Sequence, residues 1–318
     1  MNTSIDFAGI HLHNRVLVAS GTFGYGNEAA AFTDLRSIGG IVTKSVSRLP
    51  RHGNQPTRIA ETPAGMLNSI GLANVGVEAF IADKLPFLRT IGTSIIVNIA
   101  ASSIDEYCDV LERLDDEDGI DGYEINVSCP NVKEGGLNFG TRCEMTETIT
   151  REMRKRTRRA LIVKLTPNVT HIADFARACE AEGADAVSLI NTLVGMAVDV
   201  NTRRPKLSTI TGGLSGPAIK PVALAKVYEV SKVVAIPIIG IGGIMTWEDA
   251  IEFMLVGATA VQIGTANFRD PDSAVKIARG MEAYCKEHNI EDIQELVGSM
   301  RVAGDITAPG FVNVVRQA

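Results

Sequence analysis

LIVKLTPNVTHIADFARACEAEGADAVSLIN, residues Leu161–Asn191, contains one complete strand–helix–strand unit. Its two ends, LIVKLT and AVSLIN, are short runs of aliphatic and β-branched residues, which are typical of buried strands. The segment between them, Ile172–Glu182, has the apolar spacing of a helix. Two apolar strands joined by a helix favour a parallel pair, because parallel strands need a long crossover connection.

The same unit recurs along the 318 residues of the chain. The apolar runs are Val16–Ser20, Ile41–Ser45, Ser94–Ala100, Tyr123–Ser128, Leu161–Thr166, Ala186–Asn191, Pro237–Gly242 and Ala260–Thr265. Eight such units in about 300 residues are typical of a (β/α)₈ TIM barrel of the α/β class. A doubly wound open sheet is the alternative fold, although it normally has fewer units.

We expect residues 1–318 to form a single domain, because no linker or repeat divides the chain. Asp6–His13 is consistent with a short N-terminal hairpin below the barrel, and the tail Arg301–Ala318 has no evident role. Long loops are expected after strands 2, 4 and 6, at Val46–Ala73, within Asn126–Gly136 and at Thr192–Gly216. Loops after barrel strands form active-site walls, so these three loops predict where the site lies.

The composition excludes several classes of protein. With 31 basic and 37 acidic side chains, the formal net charge is −6, which argues against a nucleic-acid binder. No apolar run reaches the roughly 20 residues of a membrane span, and the amino terminus lacks the pattern of a secretory signal. The five cysteines form no CxxC pair and His11 with His13 lacks a third ligand, so we expect a cytoplasmic protein with no metal site.

Most of the predicted strands end in polar residues, where a purely structural barrel would stay apolar. Lysines lie near the ends of the second and fifth runs, at Lys44 and Lys164, and asparagines lie at or near the ends of three others, at Asn98, Asn126 and Asn191. The carboxyl ends of barrel strands converge on one mouth. A lysine entering an apolar interior is costly unless it meets an anion or an electron-rich ring, so these residues predict a binding site.

Glycine-rich stretches follow the last two strands and precede one helix. They are GIGG at Gly240–Gly243, IGT at Ile263–Thr265 and GGLSGPAIKP at Gly212–Pro221. Glycines at these strand ends are typical of the phosphate site of a barrel, where backbone N–H groups bind an anion. The alternative is that the glycines only relieve crowding in tight turns.

Cys129 stands out by position, in NVSCPNVKEGG just beyond the fourth strand. A thiolate over the mouth can act as a nucleophile or as a base. The five histidines lie away from the predicted strand ends, so a Cys–His nucleophilic pair is absent from the pattern. A proton-accepting role for Cys129 is therefore favoured over a nucleophilic one.

Several long motifs, in order, resemble those of one known family. They are ASGTFGYG from Ala19, TKSV from Thr43, ETPAGMLNSIGLAN from Glu61, NVSCPNVKEGG from Asn126, VKLTPNVT from Val163, SLINTLVGMAVD from Ser188, GGLSGPAIKP from Gly212 and IGIGGI from Ile239. The chain resembles the catalytic subunits of the class 1B dihydroorotate dehydrogenases, which are FMN-containing barrel enzymes of pyrimidine biosynthesis.

The resemblance implies a set of site residues. The positions that match the family's flavin-binding residues are Ser20, Lys44, Ser45, Asn98, Asn126, Lys164, Ile190, Gly216, Gly242, Gly243, Gly264 and Thr265. Those that match substrate-binding residues are Lys44, Asn68, Ser69, Ile70, Gly71, Leu72, Asn126, Asn131, Asn191 and Thr192. Cys129 matches the catalytic base.

The implied reaction is oxidation of (S)-dihydroorotate to orotate, with Cys129 taking the C5 proton and FMN accepting the C6 hydride. Lys164 would stabilise negative charge at the N1–C2=O edge of the flavin. The family also implies a homodimer that associates with a subunit carrying FAD and [2Fe–2S], through which NAD⁺ is reduced. It implies no association with a membrane. The alternative function is a non-redox phosphate-binding barrel, an isomerase or aldolase, which leaves the asparagines and the Cys129 loop unexplained.

Overall fold

A closed barrel of eight parallel strands forms the centre of the computed structural model, which describes residues 1–127 and 139–302. The strands of the described part are β1 Ile5–Phe7, β2 Ile10–Leu12, β3 Val16–Val18, β4 Gly40–Val42, β5 Ile59–Thr62, β6 Gly65–Asn68, β7 Ser94–Ile99, β8 Gly122–Asn126, β9 Ala160–Leu165, β10 Ala186–Leu189, β11 Leu193–Met196, β12 Val198–Asp199, β13 Arg204–Pro205, β14 Thr211–Ser215, β15 Ile238–Ile241 and β16 Ala260–Ile263.

The helices cover the outside of the barrel. They are α1 Val77–Ala79, α2 Leu85–Leu88, α3 Ile104–Asp115, α4 Cys143–Arg154, α5 Ile172–Ala181, α6 Lys220–Ser231, α7 Trp247–Leu255, α8 Ala266–Arg269 and α9 Ser273–Glu287. Helix α3 begins at Ser103, whose hydroxyl accepts from the backbone N–H of Glu106 at 3.1 Å. Within the described ranges, no helix combines the length and the apolar character that crossing a bilayer requires.

The barrel strands follow each other around the cylinder in chain order, from β3 and β4 through β7, β8, β9, β10 and β15 to β16. The barrel closes where β16 pairs in parallel with β3, with Val261 opposite Val16. The predicted TIM barrel is confirmed, and each predicted apolar run overlaps one barrel strand. The strands end earlier than the runs, because the polar ends of the runs turn into the loops.

The connections after the second and sixth barrel strands have a structure of their own. Strands β5 and β6 come from the first connection and β11 and β14 from the second. They form one antiparallel sheet in the order β11–β14–β6–β5, here called the mouth sheet. The loops expected at these places therefore pair with each other and build one wall. The expected loop after the fourth barrel strand falls mostly on residues 128–138, outside the described residues.

A two-stranded antiparallel hairpin, β1 and β2, lies at the amino-terminal end of the barrel. Its apolar side chains pack against the lowest interior side chains of the barrel strands. This cluster, here called the barrel floor, consists of Phe7, Ile10, Leu12, Leu17, Val42, Ile96, Ala160, Ile162, Ala186, Ile239 and Ala260. Since all of these residues are buried, the hairpin seals this end of the barrel.

Replacing Ile10 by Ala tests the contribution of the hairpin to the floor. Ile10 is fully buried, so we expect Ile10→Ala to lower the free energy of unfolding by about 2–5 kcal/mol, as for other buried aliphatic truncations. The matched control is His11→Ala in the same strand, because the His11 side chain is 64% exposed and its partner Asp6 is 76% exposed. The control should lose less than about 1 kcal/mol. Urea unfolding followed by circular dichroism measures both, and equal losses would show that the hairpin does not contribute to the core.

Candidate active site

A layer of polar side chains crosses the barrel interior directly above the floor. Side chains on one face of a strand recur every second residue. On five chain segments, a residue of the barrel floor is followed two positions later by a polar residue. The pairs are Val42 and Lys44, Ile96 and Asn98, Ile162 and Lys164, Ala186 and Ser188, and Ala260 and Gln262. Glu124 belongs to the same layer, because it is paired in register with Asn98.

Glu124 is at the centre of this polar layer and is fully buried. Its Oε1 accepts from Asn98 Nδ2 at 2.7 Å and from Lys164 Nζ at 3.4 Å. Its Oε2 accepts from Ser188 Oγ and from Gln262 Nε2, both at 2.8 Å. The two predicted residues Asn98 and Lys164 are therefore held by a common carboxylate.

Sequence reasoning missed Glu124, although a signal was present. The run YEINVS places one acidic residue between apolar neighbours inside a barrel strand, two positions before the predicted Asn126. An acidic residue is almost never fully buried unless it is paired. This position could therefore have been selected together with Asn126 as facing the barrel interior.

Lys44 lies two residues beyond the end of β4 and is partly buried. Burial lowers the pKa of its ammonium group, and the nearby guanidinium of Arg58 lowers it further. The structure shows no hydrogen bond or ion pair of this ammonium group within residues 1–127 and 139–302. Two nearby cations favour an anionic ligand, whose charge removes the unfavourable interaction between them.

The predicted asparagines meet on the far side of the mouth. Asn191 Nδ2 donates to Asn126 Oδ1 at 3.4 Å, and Asn191 Oδ1 accepts from the backbone N–H of Thr192 at 2.8 Å. Asn168, which was not predicted, donates from Nδ2 to the carbonyl of Thr192 at 3.0 Å. Three of the predicted substrate positions are thus in one hydrogen-bonded group that offers both donors and acceptors.

The predicted stretch Asn68–Leu72 begins in the mouth sheet. Asn68 at the end of β6 donates from Nδ2 to the carbonyl of Gly213 in β14 at 3.2 Å. The backbone N–H of Ser69 donates to the carbonyl of Arg58 at 2.8 Å, so this stretch contacts the residue that approaches Lys44. The Ser69 hydroxyl is buried and has no hydrogen-bond partner among the described residues. The stretch therefore brings an unused polar group to the Lys44 side of the mouth.

The predicted glycines gather at the ends of β14, β15 and β16. A Cβ atom on Gly243 would lie 2.9 Å from the carbonyl oxygen of Gly216, so the close approach of these two ends requires glycine. Thr265 Oγ1 donates to Ser215 Oγ at 2.8 Å and joins β16 to the mouth sheet.

Gly264 is different, because a Cβ atom there would meet nothing closer than Ala19 Cβ at 3.8 Å. Its glycine is not explained by crowding, so the alternative of a tight turn fails at this position. Open space beside the backbone instead suits the close approach of a ligand, as a phosphate site requires.

The polar layer also has acceptors without donors. Asn98 Oδ1 and Gln262 Oε1 are buried and have no hydrogen-bond partner among the described residues. Leaving a buried acceptor unsatisfied costs free energy, so such groups indicate a missing ligand or water. An isoalloxazine ring has an N–H donor and carbonyl acceptors that match an amide oxygen and a lysine ammonium group. The residues present therefore fit the flavin that the resemblance implies.

The remaining predicted positions have different outcomes. Ser20 and Ser45 lie with their hydroxyl oxygens 3.5 Å apart, and Ile190 is buried next to the mouth. Cys129 and Asn131 fall outside the described residues. Among the residues that are described, no group of three or more His, Cys, Asp or Glu side chains could hold a metal ion.

Comparison with known proteins finds a family and close relatives. A family model described as dihydroorotate dehydrogenase matches residues 3–284. Dihydroorotate dehydrogenase B (NAD(+)), catalytic subunit, of Geotalea uraniireducens is 56% identical over 297 residues, which cover 93% of this chain and 97% of that protein. The protein of the same name from Alkaliphilus oremlandii is 56% identical over 299 residues, covering 94% of this chain and 99% of that protein.

The fold also matches a solved structure. A crystal structure of DHODH from Eimeria tenella in complex with ferulenol gives a TM-score of 0.76 at 21% identity, over 94% of this chain and 88% of that chain. At this identity the likeness concerns the fold alone. Together with the family model, the relatives confirm the resemblance and favour it over the non-redox barrel.

Replacing Lys44 by Met tests the charge at the mouth. A lysine whose pKa is lowered in the folded state destabilises the fold below that pKa, and the penalty vanishes as the pH rises toward the usual value of about 10.5. We expect Lys44→Met to raise the Tm of the ligand-free protein by roughly 1–2 °C at pH 7 and to have less effect at pH 10. Differential scanning calorimetry at both pH values measures this.

The matched control for Lys44→Met is Lys206→Met, because Lys206 is exposed next to β13. It should leave the Tm unchanged at both pH values, since an exposed ammonium group pays little for desolvation. A lower Tm for Lys44→Met at pH 7 would contradict the prediction that the Lys44 ammonium group destabilises the protein when no anionic ligand is bound.

Proposed function

This chain belongs to the dihydroorotate dehydrogenase family, and we propose that it oxidises (S)-dihydroorotate to orotate in the de novo synthesis of UMP, with FMN bound at the barrel mouth. The observation that carries this proposal is the polar layer below the mouth. It combines two cationic side chains, Lys44 and Lys164, with amide acceptors that have no donor of their own. An anionic substrate and an amide-rich flavin ring supply the missing partners.

FMN is held by two groups of residues in this proposal. The phosphate lies against the glycine-rich strand ends, at Gly216, Gly242, Gly243, Gly264 and Thr265. The ring lies against Ser20, Lys44, Ser45, Asn98, Asn126, Lys164 and Ile190. The open space beside Gly264 and the unpaired Oδ1 of Asn98 support this division. When bound, FMN supplies the hydride acceptor.

Dihydroorotate is held next to the flavin, and two residues, Lys44 and Asn126, serve both ligands. Its amide groups match the hydrogen-bonded group of Asn126, Asn191 and Thr192, and Asn131 adds a further amide. Its carboxylate is attracted by Lys44, whose ammonium group is beside a second cation. The stretch Asn68–Leu72 closes the site from the mouth sheet, where the buried Ser69 hydroxyl is an unused donor.

The chemistry divides between the two faces of the substrate. Oxidation removes a proton from C5 and a hydride from C6, and the proton goes to the Cys129 thiolate as general base. Lys164 stabilises negative charge on the flavin side of the site, because its ammonium group is buried beside the mouth, where it donates to Glu124 Oε1 at 3.4 Å. Lys44 and the asparagines orient the substrate between these groups.

The electrons leave through a partner. The relatives from Geotalea and Alkaliphilus carry the name catalytic subunit and are linked to NAD(+). In our proposal residues 1–318 form one FMN-binding barrel domain, which dimerises and associates with a subunit carrying FAD and [2Fe–2S]. The sequence has no dinucleotide fingerprint after its first strand and no cluster-spaced cysteines, which supports NAD⁺ reduction on another chain. Free thiols at Cys108, Cys143, Cys179 and Cys285 suit the cytoplasm.

Replacing Cys129 by Ala tests the reaction and its base together. The variant should retain FMN and bind orotate, because the substitution changes none of the proposed flavin positions, most of which lie on other strands. We expect reduction of the bound FMN by dihydroorotate to fall by about 10²- to 10⁴-fold, as is usual when a general base is lost. Stopped-flow absorbance at the flavin band across pH measures this rate, and Cys129→Ser should regain part of it at high pH.

The matched control is Cys143→Ala, because Cys143 lies at the start of α4, where its thiol donates a hydrogen bond to the carbonyl oxygen of Asp174. This variant should reduce FMN at the wild-type rate. A wild-type rate in Cys129→Ala would place the base elsewhere. Purified protein that is colourless and cannot be reconstituted with FMN would overturn the whole proposal in favour of a non-redox barrel.

Assay of the isolated chain tests the proposed division of labour between subunits. With dihydroorotate as donor, we expect the chain alone to reduce an artificial dye but to reduce NAD⁺ negligibly, since its sequence has no dinucleotide fingerprint after the first strand. Absorbance at the NADH band and at the dye band measures the two reactions in parallel. Robust NAD⁺ reduction by the chain alone would refute the need for an electron-transfer subunit.

A further inference from the structure

Glu124 is the only acidic residue that is buried among residues 1–127 and 139–302. Burying a carboxylate is costly unless it is paired and hydrogen-bonded, and barrel interiors are normally filled by branched apolar side chains. Apolar residues would therefore stabilise this layer at least as well. A carboxylate at this position calls for an explanation other than packing.

Side chains on four other strands donate to this carboxylate, which has two donors on each oxygen. Asn98 and Lys164 belong to the neighbouring strands β7 and β9, and Ser188 belongs to β10. Gln262 belongs to β16, which is four strands away from β8 in either direction around the barrel. The carboxylate therefore reaches across the barrel and links strands on opposite sides.

The two oxygens of Glu124 have different partners. Oε2 accepts from Ser188 and Gln262, neither of which is at a proposed flavin position. Oε1 accepts from Asn98 and Lys164, both of which are. One oxygen thus anchors the carboxylate to the barrel, and the other holds two groups that are expected to meet the flavin.

The contact with Asn98 also fixes the orientation of its amide. Because Nδ2 donates to Glu124 at 2.7 Å, Oδ1 points away from that bond and is left buried with no donor from the described part of the chain. Rotation of the amide would place Oδ1 against the carboxylate, which is repulsive. Glu124 therefore presents Asn98 as an acceptor and supplies the counter-charge of the Lys164 ammonium group.

We propose that Glu124 is a positioning residue of this enzyme, which orients Asn98 and Lys164 for binding of the FMN ring through a carboxylate anchored by Ser188 and Gln262. This inference rests on the proposed function, because it takes FMN as the ligand of the mouth. Glu124 acts on the flavin through its two partners and makes no contact with the substrate.

Titration of FMN into flavin-free full-length protein, followed by flavin fluorescence, tests this role. Glu124→Gln keeps the shape of the side chain and removes its charge. We expect its Kd for FMN to rise by roughly 10- to 100-fold, the range typical for loss of a group that orients a binding residue. In a Lys164→Gln background the same change should raise the Kd by a smaller factor, because one of the two partners through which Glu124 acts is gone.

Asp185→Asn is the matched control, since Asp185 also lies in a carboxylate–cation pair, with Arg154 at 2.7 Å, but at the amino-terminal side of β10. It should lower the Tm without changing the Kd for FMN. A merely structural role of Glu124 would give the same pattern as this control, with a lower Tm and an unchanged Kd.

The outcomes separate the two proposals. If the wild-type chain binds FMN but Glu124→Gln binds it equally well, or if its effect is undiminished in the Lys164→Gln background, the positioning role is wrong and the proposed function stands. If the wild-type chain does not bind FMN, both are wrong. Should Glu124→Gln fail to fold, Glu124→Asp keeps the charge and shortens the reach, and an FMN Kd equal to that of the wild type would overturn the positioning role.

Discussion

Closure of the eight-stranded barrel between β16 and β3 is the constraint on which the site depends. Closure leaves each strand with one face toward a common interior, so residues two positions apart lie in successive layers. The apolar residues on the interior faces of the strands form the barrel floor, and residues two positions later form the polar layer. Without closure, Gln262 and Glu124 would lie far apart in an open sheet. The Glu124 carboxylate would then lose Gln262 as one of its four donors.

The mouth sheet shows how the rim is built from segments far apart in the chain. Strands β5 and β6 precede β7, whereas β11 and β14 follow β10, and the two pairs are joined by the register of β6 with β14. This pairing places Asn68 opposite Gly213 and connects through Ser215 to Thr265 at the end of β16. The rim is therefore tied to the barrel at a strand end that is also a proposed phosphate position.

The sequence predicted the barrel because each strand is a short apolar run, and such runs reflect local burial. Asn98, Lys164, Asn126 and Asn191 were predicted as site residues because a polar residue near the end of an apolar run is a local signal. The mouth sheet was not predicted, since its pairing joins residues separated by more than a hundred positions. Glu124 was missed although its place inside a barrel strand was a local signal, whereas its donors from β10 and β16 could not be read from the neighbouring residues.

Within residues 1–127 and 139–302, the hairpin of β1 and β2 closes one end of the barrel and leaves the other end as its entrance. If the barrel were open at both ends, product could leave at one end while the next substrate entered at the other. With one end closed, product must leave past the same rim by which the next substrate enters. Under the proposed function, orotate and dihydroorotate therefore exchange in turn at the same rim, and free orotate competes for the entrance with every incoming substrate molecule.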